Sequence, residues 1–316
     1  MKKFICVLTA CLSLLALAAC GGAGASSSAS AAPASGAADT VTFTDSLGNE
    51  VTAPRQPKTV AALLGSYADV WQLAGGAVAG TVSDAWDEGI ALPATTVNLG
   101  SLKQPDTEAL LALEPDLVLL SNDIDGHLAL ADTLKNAGIP AAYFHVDSFG
   151  EYLAMLEVCV NLTGDTDAYD ANGAQLVAQV DLAKASVAEK TGPKVLLLRA
   201  YSSGVKAKDS DNFVGEMLRD LGAENIADSD GSLLENLQME AIVAADPDVI
   251  LVTTMGDEGK ALENMKNTLE ADPAWQGLTA VQNGRCVVLE KELFHYKPNA
   301  KWGEAYEKLA DILYRA

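Results

Sequence analysis

PDTEALLALEPDLVLL at residues 105–120 and LQMEAIVAADPDVILV at residues 237–252 are two copies of one pattern. Superposed, Glu108 falls on Glu240, Pro115 on Pro247 and Asp116 on Asp248. Each copy reads as a short amphipathic helix, a Pro-Asp break, and a run of leucine and β-branched residues. Proline ends the helix because it lacks an N–H and pushes the residue before it out of the helical region. The apolar run that follows is short and does not alternate, which fits a parallel strand buried on both faces. One helix–turn–strand unit in each half predicts two related α/β lobes. Two copies are too few for a solenoid.

Upstream of the first copy, Val41–Val51 reads as two alternating segments around Leu47-Gly48-Asn49, a hairpin signal. Strands are then expected at Thr59–Leu64 and Val78–Val82, with a helix between them that Gly75-Gly76 closes. Between the copies, a helix is expected over about Gly126–Asn136, a strand at Pro140–Val146 and a helix at Phe149–Leu162. The segment Asp165–Lys190 interrupts this rhythm. Leu176, Val177, Val180, Ala183 and Val187 keep helical spacing with nothing to break it, so it reads as one helix joining the lobes. After Gly192-Pro193 the alternation resumes, with strands at Val195–Leu198, Val249–Val252 and Cys286–Leu289 and a final helix over Lys301–Tyr314.

The N-terminus has a different character. Met-Lys-Lys precedes an apolar run from Phe4 to Ala19, followed by Cys20. This is the layout of a secretory signal. Leu17-Ala18-Ala19-Cys20 resembles the bacterial lipoprotein box, which implies that Cys20 receives lipid and becomes the mature first residue. The stretch to residue 38 is nearly all Gly, Ala and Ser, a composition that builds no core and serves as a tether. The expected organisation is a signal over 1–19, a tether over 20–38, a first lobe over 39–165, a connecting helix over 166–190 and a second lobe over 191–316. Each lobe is expected to be a mainly parallel sheet flanked by helices.

With 43 acidic and 21 basic residues the net charge is −22, and it falls by two more once Lys2 and Lys3 are removed. That excludes the basic face a nucleic-acid partner needs. Cys159 and Cys286 read as buried apolar residues of different lobes. His127, His145 and His295 are the whole histidine complement. Their spacing, with no CxxC and no HExxH, predicts no dedicated zinc or manganese cage and no protein-bound metal. There is no G-x-S-x-G elbow and no glycine-rich phosphate loop either, so an enzyme on this scaffold is not expected.

A lipoprotein signal, a hairpin, two α/β lobes each with a Glu-x6-Pro-Asp unit, one joining helix, DNFVGEMLRDLGAENIAD at 211–228 and a closing WQGLTAVQNGRCVVL make a specific order. Over residues 40–316 it resembles the substrate-binding lipoproteins of importers for iron-siderophore, haem and cobalamin. This is the periplasmic-binding-protein-like class with a helical connector. The resemblance implies an ABC permease and its ATPase as partners, a monomer on the extracytoplasmic face, no catalysis and no cofactor. It also implies that Glu108 and Glu240 meet arginines of the permease. A carboxylate paired bidentately with arginine fixes geometry as well as attraction.

In open parallel sheets ligands sit beyond the carboxyl ends of the strands. That rule selects Tyr67, Trp86 and His145 from the first lobe, and Arg199, Tyr201, Phe294 and His295 from the second. Tyr67, Trp86, Tyr201 and Phe294 are candidate aromatic walls. Arg199 is a candidate grip for a propionate, phosphate or chelate oxygen. His145, His295 and Tyr201 are candidate axial donors to iron or cobalt, with Tyr67 and Met255 as rivals. Haem, cobalamin and ferric hydroxamate all stay open as cargo, and a sensor or surface-interaction lipoprotein on the same fold is the alternative function.

Overall fold

A computed structural model describes residues 39–235 and 237–315. The expected signal, tether and Cys20 lie outside the described residues. No helix among the described residues is long and apolar enough to cross a membrane.

The hairpin forms from antiparallel strands Thr40–Thr44 and Glu50–Pro54. Its turn is organised by Asp45, whose carboxylate accepts from the Leu47 and Asn49 amides and from the Tyr143 amide of the first lobe. One side chain thus closes the turn and fastens the hairpin to the sheet.

The first lobe holds five parallel strands in the order Val97–Asn98, Val78–Thr81, Val60–Ala62, Leu117–Ser121, Ala141–Phe144. Strand order reverses between Val60–Ala62 and Leu117–Ser121, which is where a crevice opens in such sheets. In the second lobe, Lys194–Tyr201 pairs parallel with Val249–Thr254, which pairs parallel with Cys286–Val288; Gly204–Ala207 adds an antiparallel edge.

The repeat dictates the same local structure twice. Its strands Leu117–Ser121 and Val249–Thr254 are buried at every residue. The residue before each proline, Glu114 or Asp246, adopts φ near +45°, at 48° and 42°. This left-handed residue ends the helix where the proline forbids its continuation. The aspartate after each proline then caps the neighbouring strand. Asp116 accepts from the amides of Lys58 and Thr59 at 2.7 and 3.0 Å, and Asp248 from that of Lys194 at 2.8 Å.

Alternate faces of these strands feed different cores. Leu117 and Leu119, with Val195, Leu197, Val249 and Leu251, join one cluster that spans both lobes. Val118 and Leu120 pack on the outer side of the first lobe, and Ile250 and Val252 on that of the second. The shared cluster also takes Leu176 and Val180 of the connector and Trp302 and Tyr306 of the C-terminal helix Trp302–Tyr314.

The connector differs from the uninterrupted helix expected. It runs from Thr166 to Val187, but Asp170–Ala174 is a π-helical turn between two α-helical parts. Tyr152 donates to the Asn172 carbonyl at 2.9 Å, and Asn172 donates to the Leu73 carbonyl, so the first lobe holds this widened turn from both sides. Further along, the C-terminal helix approaches so closely that a Cβ on Gly303 would lie 2.1 Å from the Gln179 side chain. The helix expected over Gly126–Asn136 is also divided, into Asp125–Leu128 and Ala131–Ala137. His127 at this break is wholly buried: its Nδ1 accepts from the Ser121 amide and its Nε2 meets the Leu102 carbonyl. Cys159 is buried and Cys286 half-buried, and both are free thiols.

Candidate functional site

The first-lobe wall is built by the ends of strands Val60–Ala62, Val78–Thr81, Leu117–Ser121 and Ala141–Phe144 and by the turns that follow them. The helix Gly65–Leu73 starts directly after the first of these. Gly65 is required there, since a Cβ would lie 2.8 Å from the Ala85 backbone. Its amide donates to Asp84 at 3.0 Å, which ties the two strand-end turns together.

Trp86 lies on the second of those turns and is 43% exposed, so its ring is open to solvent. Tyr67 is not open. It is 2% exposed, donates to the Phe144 carbonyl at 3.0 Å and packs edge-on against the Phe144 ring. Its expected role as a wall or donor is corrected to core packing: the helix start turns the ring inward, where apolar burial outweighs exposure.

His145 stands one residue beyond the strand Ala141–Phe144, with its amide held by Ser46 Oγ of the hairpin turn. Its Nδ1 lies 2.8 Å from Asp123 Oδ2. Its Nε2 lies 3.8 Å from both Asp147 Oδ2 and Glu151 Oε1.

The second-lobe wall carries the opposite charge. Arg199, near the end of Lys194–Tyr201, is half-buried, and its Nε has no acceptor among the described residues. Tyr201 is half-buried at the same strand end. His295 is half-buried with Nδ1 unpartnered among the described residues. Burial, then the nearby charges of Arg199, Lys291 and Lys297, push its pKa down to about 4. It is therefore neutral at physiological pH, with one ring nitrogen carrying the proton and the other able to accept or coordinate. Phe294 is 1% exposed in the shared core, which corrects its expected role as a wall. The half-buried His295 is the next residue along, so at the end of the helix Lys291–Phe294 adjacent rings take different directions, which sequence position alone does not specify.

Two residues that join the lobes escaped the sequence reading. Lys297 reaches across the cleft to Asp147, and its ammonium also lies 5.1 Å from the centre of the Phe213 ring. Asn299, at φ 49°, donates to the Ser66 carbonyl at 3.0 Å and to Asp69 at 2.8 Å. The segment before the last helix therefore laces the lobes together. No repeat or periodicity marks it; the lysine between Tyr296 and Pro298 was its one chemical signal.

Beside this lacing lies a hollow of about 220 Å³ lined by Asp69, Glu88, Tyr296, Lys297, Asn299 and Lys301. Glu88 there is pushed up to about 8, by burial first and then by Asp84, Asp69 and Asp87. Larger hollows, of about 430 and 350 Å³, lie beside the strands Glu50–Pro54 and Gly204–Ala207. None of these three hollows is lined by Trp86, His145, Arg199, Tyr201 or His295.

Glu108 and Glu240 are exposed second residues of the helices Thr107–Ala112 and Met239–Ala245. Each helix leads back into a buried parallel strand and runs against its direction. The first turn therefore lies at the carboxyl end of the sheet, on the rim of its own lobe.

A periodic pattern of this kind has known counterparts. The model of the periplasmic binding protein family matches residues 60–293. The chain belongs to that family. An uncharacterized ABC transporter substrate-binding lipoprotein of Bacillus subtilis, YvrC, is 26% identical over 286 residues, 87% of this chain and 85% of the relative. A cobalamin-binding protein of Halobacterium salinarum is 29% identical over 225 residues, 69% of this chain and 59% of the relative. The crystal structure of Staphylococcus aureus IsdE complexed with heme superposes with a TM-score of 0.67 at 17% identity, covering 81% of this chain and 99% of IsdE. The two-lobed α/β architecture of this binding protein is thus that of its family, and the family is one of substrate-binding receptors.

Proposed function

We propose that this binding protein is a lipid-anchored solute receptor that takes a metal chelate into the cleft between its lobes and hands it to an ABC importer. The observation that carries this reading is the set of open groups at the strand ends. Trp86 offers an exposed aromatic face, Arg199 has an unsatisfied buried Nε, and His145 and His295 stand on opposite walls. A large planar or chelated ligand calls for apolar faces with a few polar anchors. Met255, 42% exposed beyond Val249–Thr254, adds an apolar face and a thioether from the second lobe.

Support for the ligand class comes from relatives named for cobalamin and complexed with heme. In this reading Arg199 grips an anionic edge of the chelate, and His145, His295 or Tyr201 stands at the metal's open position. Glu108 and Glu240 face the permease, Cys20 carries the lipid, and the receptor works as a monomer without catalysis or a cofactor.

The test is titration of the full chain, solubilised in mild detergent, with haemin, cobalamin and a ferric hydroxamate. One of the three is expected to quench tryptophan fluorescence and raise the melting temperature, since a ligand that binds the folded state stabilises it. Failure of all three to do either would sink the proposal.

A further inference from the structure

Around His145 three carboxylates each turn an oxygen toward the ring, two of them held by other partners. Asp123 Oδ2 meets Nδ1 at 2.8 Å. Asp147 uses Oδ1 for Lys297 and turns Oδ2 toward Nε2. Glu151 uses Oε2 to accept from the Asp147 amide at 2.8 Å and the Ser148 hydroxyl at 3.0 Å, while Oε1 faces Nε2. Ser148 in turn caps the helix Phe149–Thr163 by accepting from the Glu151 amide, so a capping box fixes Glu151.

An imidazole that donates its Nδ1–H to a carboxylate presents a lone pair at Nε2. In that tautomer Nε2 and two carboxylate oxygens 3.8 Å from it are three acceptors facing one another, and a bound cation relieves such an arrangement. One donor atom from each of Asp123, His145 and Asp147 lies within 4.8 Å of the others, and Glu151 stands outside that set, meeting only Nε2 at 3.8 Å. The 3.8 Å separations at Nε2 are close to the ~3.4 Å between tetrahedral ligands on an ion with bonds of about 2.1 Å.

The surrounding charge favours a cation as well. The carboxyl of Glu216 in the second lobe is raised by burial and then by Asp220, opposed by Arg219, with smaller contributions from Glu151 and Asp147. Lys297 is the opposing ammonium, and it occupies the far oxygen of Asp147.

We infer that His145 Nε2, Asp147 and Glu151 bind a bare divalent first-row transition ion, with Asp123 as the carboxylate that orients the imidazole. The imidazole selects such ions over calcium and magnesium, which prefer all-oxygen shells. The site does not require the chelate reading. It was not legible from spacing, because its donors come from the ends of two strands and the start of a helix.

The experiment is calorimetric titration of the chelator-stripped full chain in detergent with Zn²⁺ and Co²⁺, with the visible spectrum of bound cobalt as a second readout. One equivalent is expected to bind. Asp123→Asn should weaken it by about 10–100-fold, the usual cost of losing an orienting partner, and His145→Ala by more. Both side chains are at least one-third exposed, and unchanged circular dichroism will verify that the variants fold. Absence of saturable binding, or wild-type binding by both His145→Ala and Asp147→Asn, would overturn the inference. Chelate binding without bare-ion binding would overturn it and leave the receptor reading intact. Bare-ion binding without chelate binding would support it and count against the receptor reading.

Discussion

Single residues decide which groups face the ligand, and here the sequence was least legible. His127 lies in the one-turn helix Asp125–Leu128, His145 follows an apolar strand and His295 closes a short helix, yet only His127 is sealed in the core while the other two are half-buried. Phe294 and Tyr67 were chosen by the same rule as Trp86, but they turn inward. Strand-end position sets where a backbone stands; the rotamer and neighbours set where its side chain goes. Glu88 shows what that placement does to chemistry. Its carboxyl is held near 8 rather than 4.5, so the folded chain binds one proton more than the unfolded chain between those values. Stability is then full below about 4.5 and falls as pH rises toward 8. Glu88→Gln removes the buried charge while keeping the shape. Its melting temperature should exceed that of the wild type by roughly a few degrees at pH 8, with the gap closing at pH 4.5. A gap independent of pH in thermal melts would refute this assignment.

Elements were far more legible, because periodicity and turn chemistry are local. The two repeat strands and the long helix Phe149–Thr163 stand within a residue or two of their expected limits. What periodicity missed were the breaks: the π turn at Asp170–Ala174 and the divided helix at His127. Both answer to distant partners, Tyr152 and Leu102, which no local pattern encodes. The repeat aspartate is an intermediate case, since its spacing was plain but its bonding was not. Asp116 satisfies two backbone amides and Asp248 one. Asp116→Ala should therefore cost about 1–2 kcal/mol in urea unfolding, and Asp248→Ala less, with the slope against denaturant unchanged. Equal losses would mean that the strand caps contribute little and the turn geometry carries the effect.

For the whole molecule, the decisive feature is the core shared by both lobes. Residues of each central sheet, the connector and the last helix bury against one another in one cluster. The Lys297–Asp147 and Asn299–Asp69 contacts close the front. Separating the lobes would expose that cluster, so motion between them is expected to be small rather than the wide hinge of strand-linked binding proteins. Under the proposed function, a permease that meets no large closure must read something fixed, and Glu108 and Glu240 are proposed to supply it, as exposed carboxylates in the same position of two copies of one unit, each on the rim of its own lobe. Two such points fix orientation where one leaves rotation free. Each single alanine variant should therefore slow uptake of the bound chelate by whole cells, and Glu108→Ala with Glu240→Ala should abolish it. Affinity measured by fluorescence on the purified chain should stay at the wild-type value throughout. Loss of affinity in the double variant would place these glutamates in the ligand site, and unimpaired uptake would remove them from the docking surface.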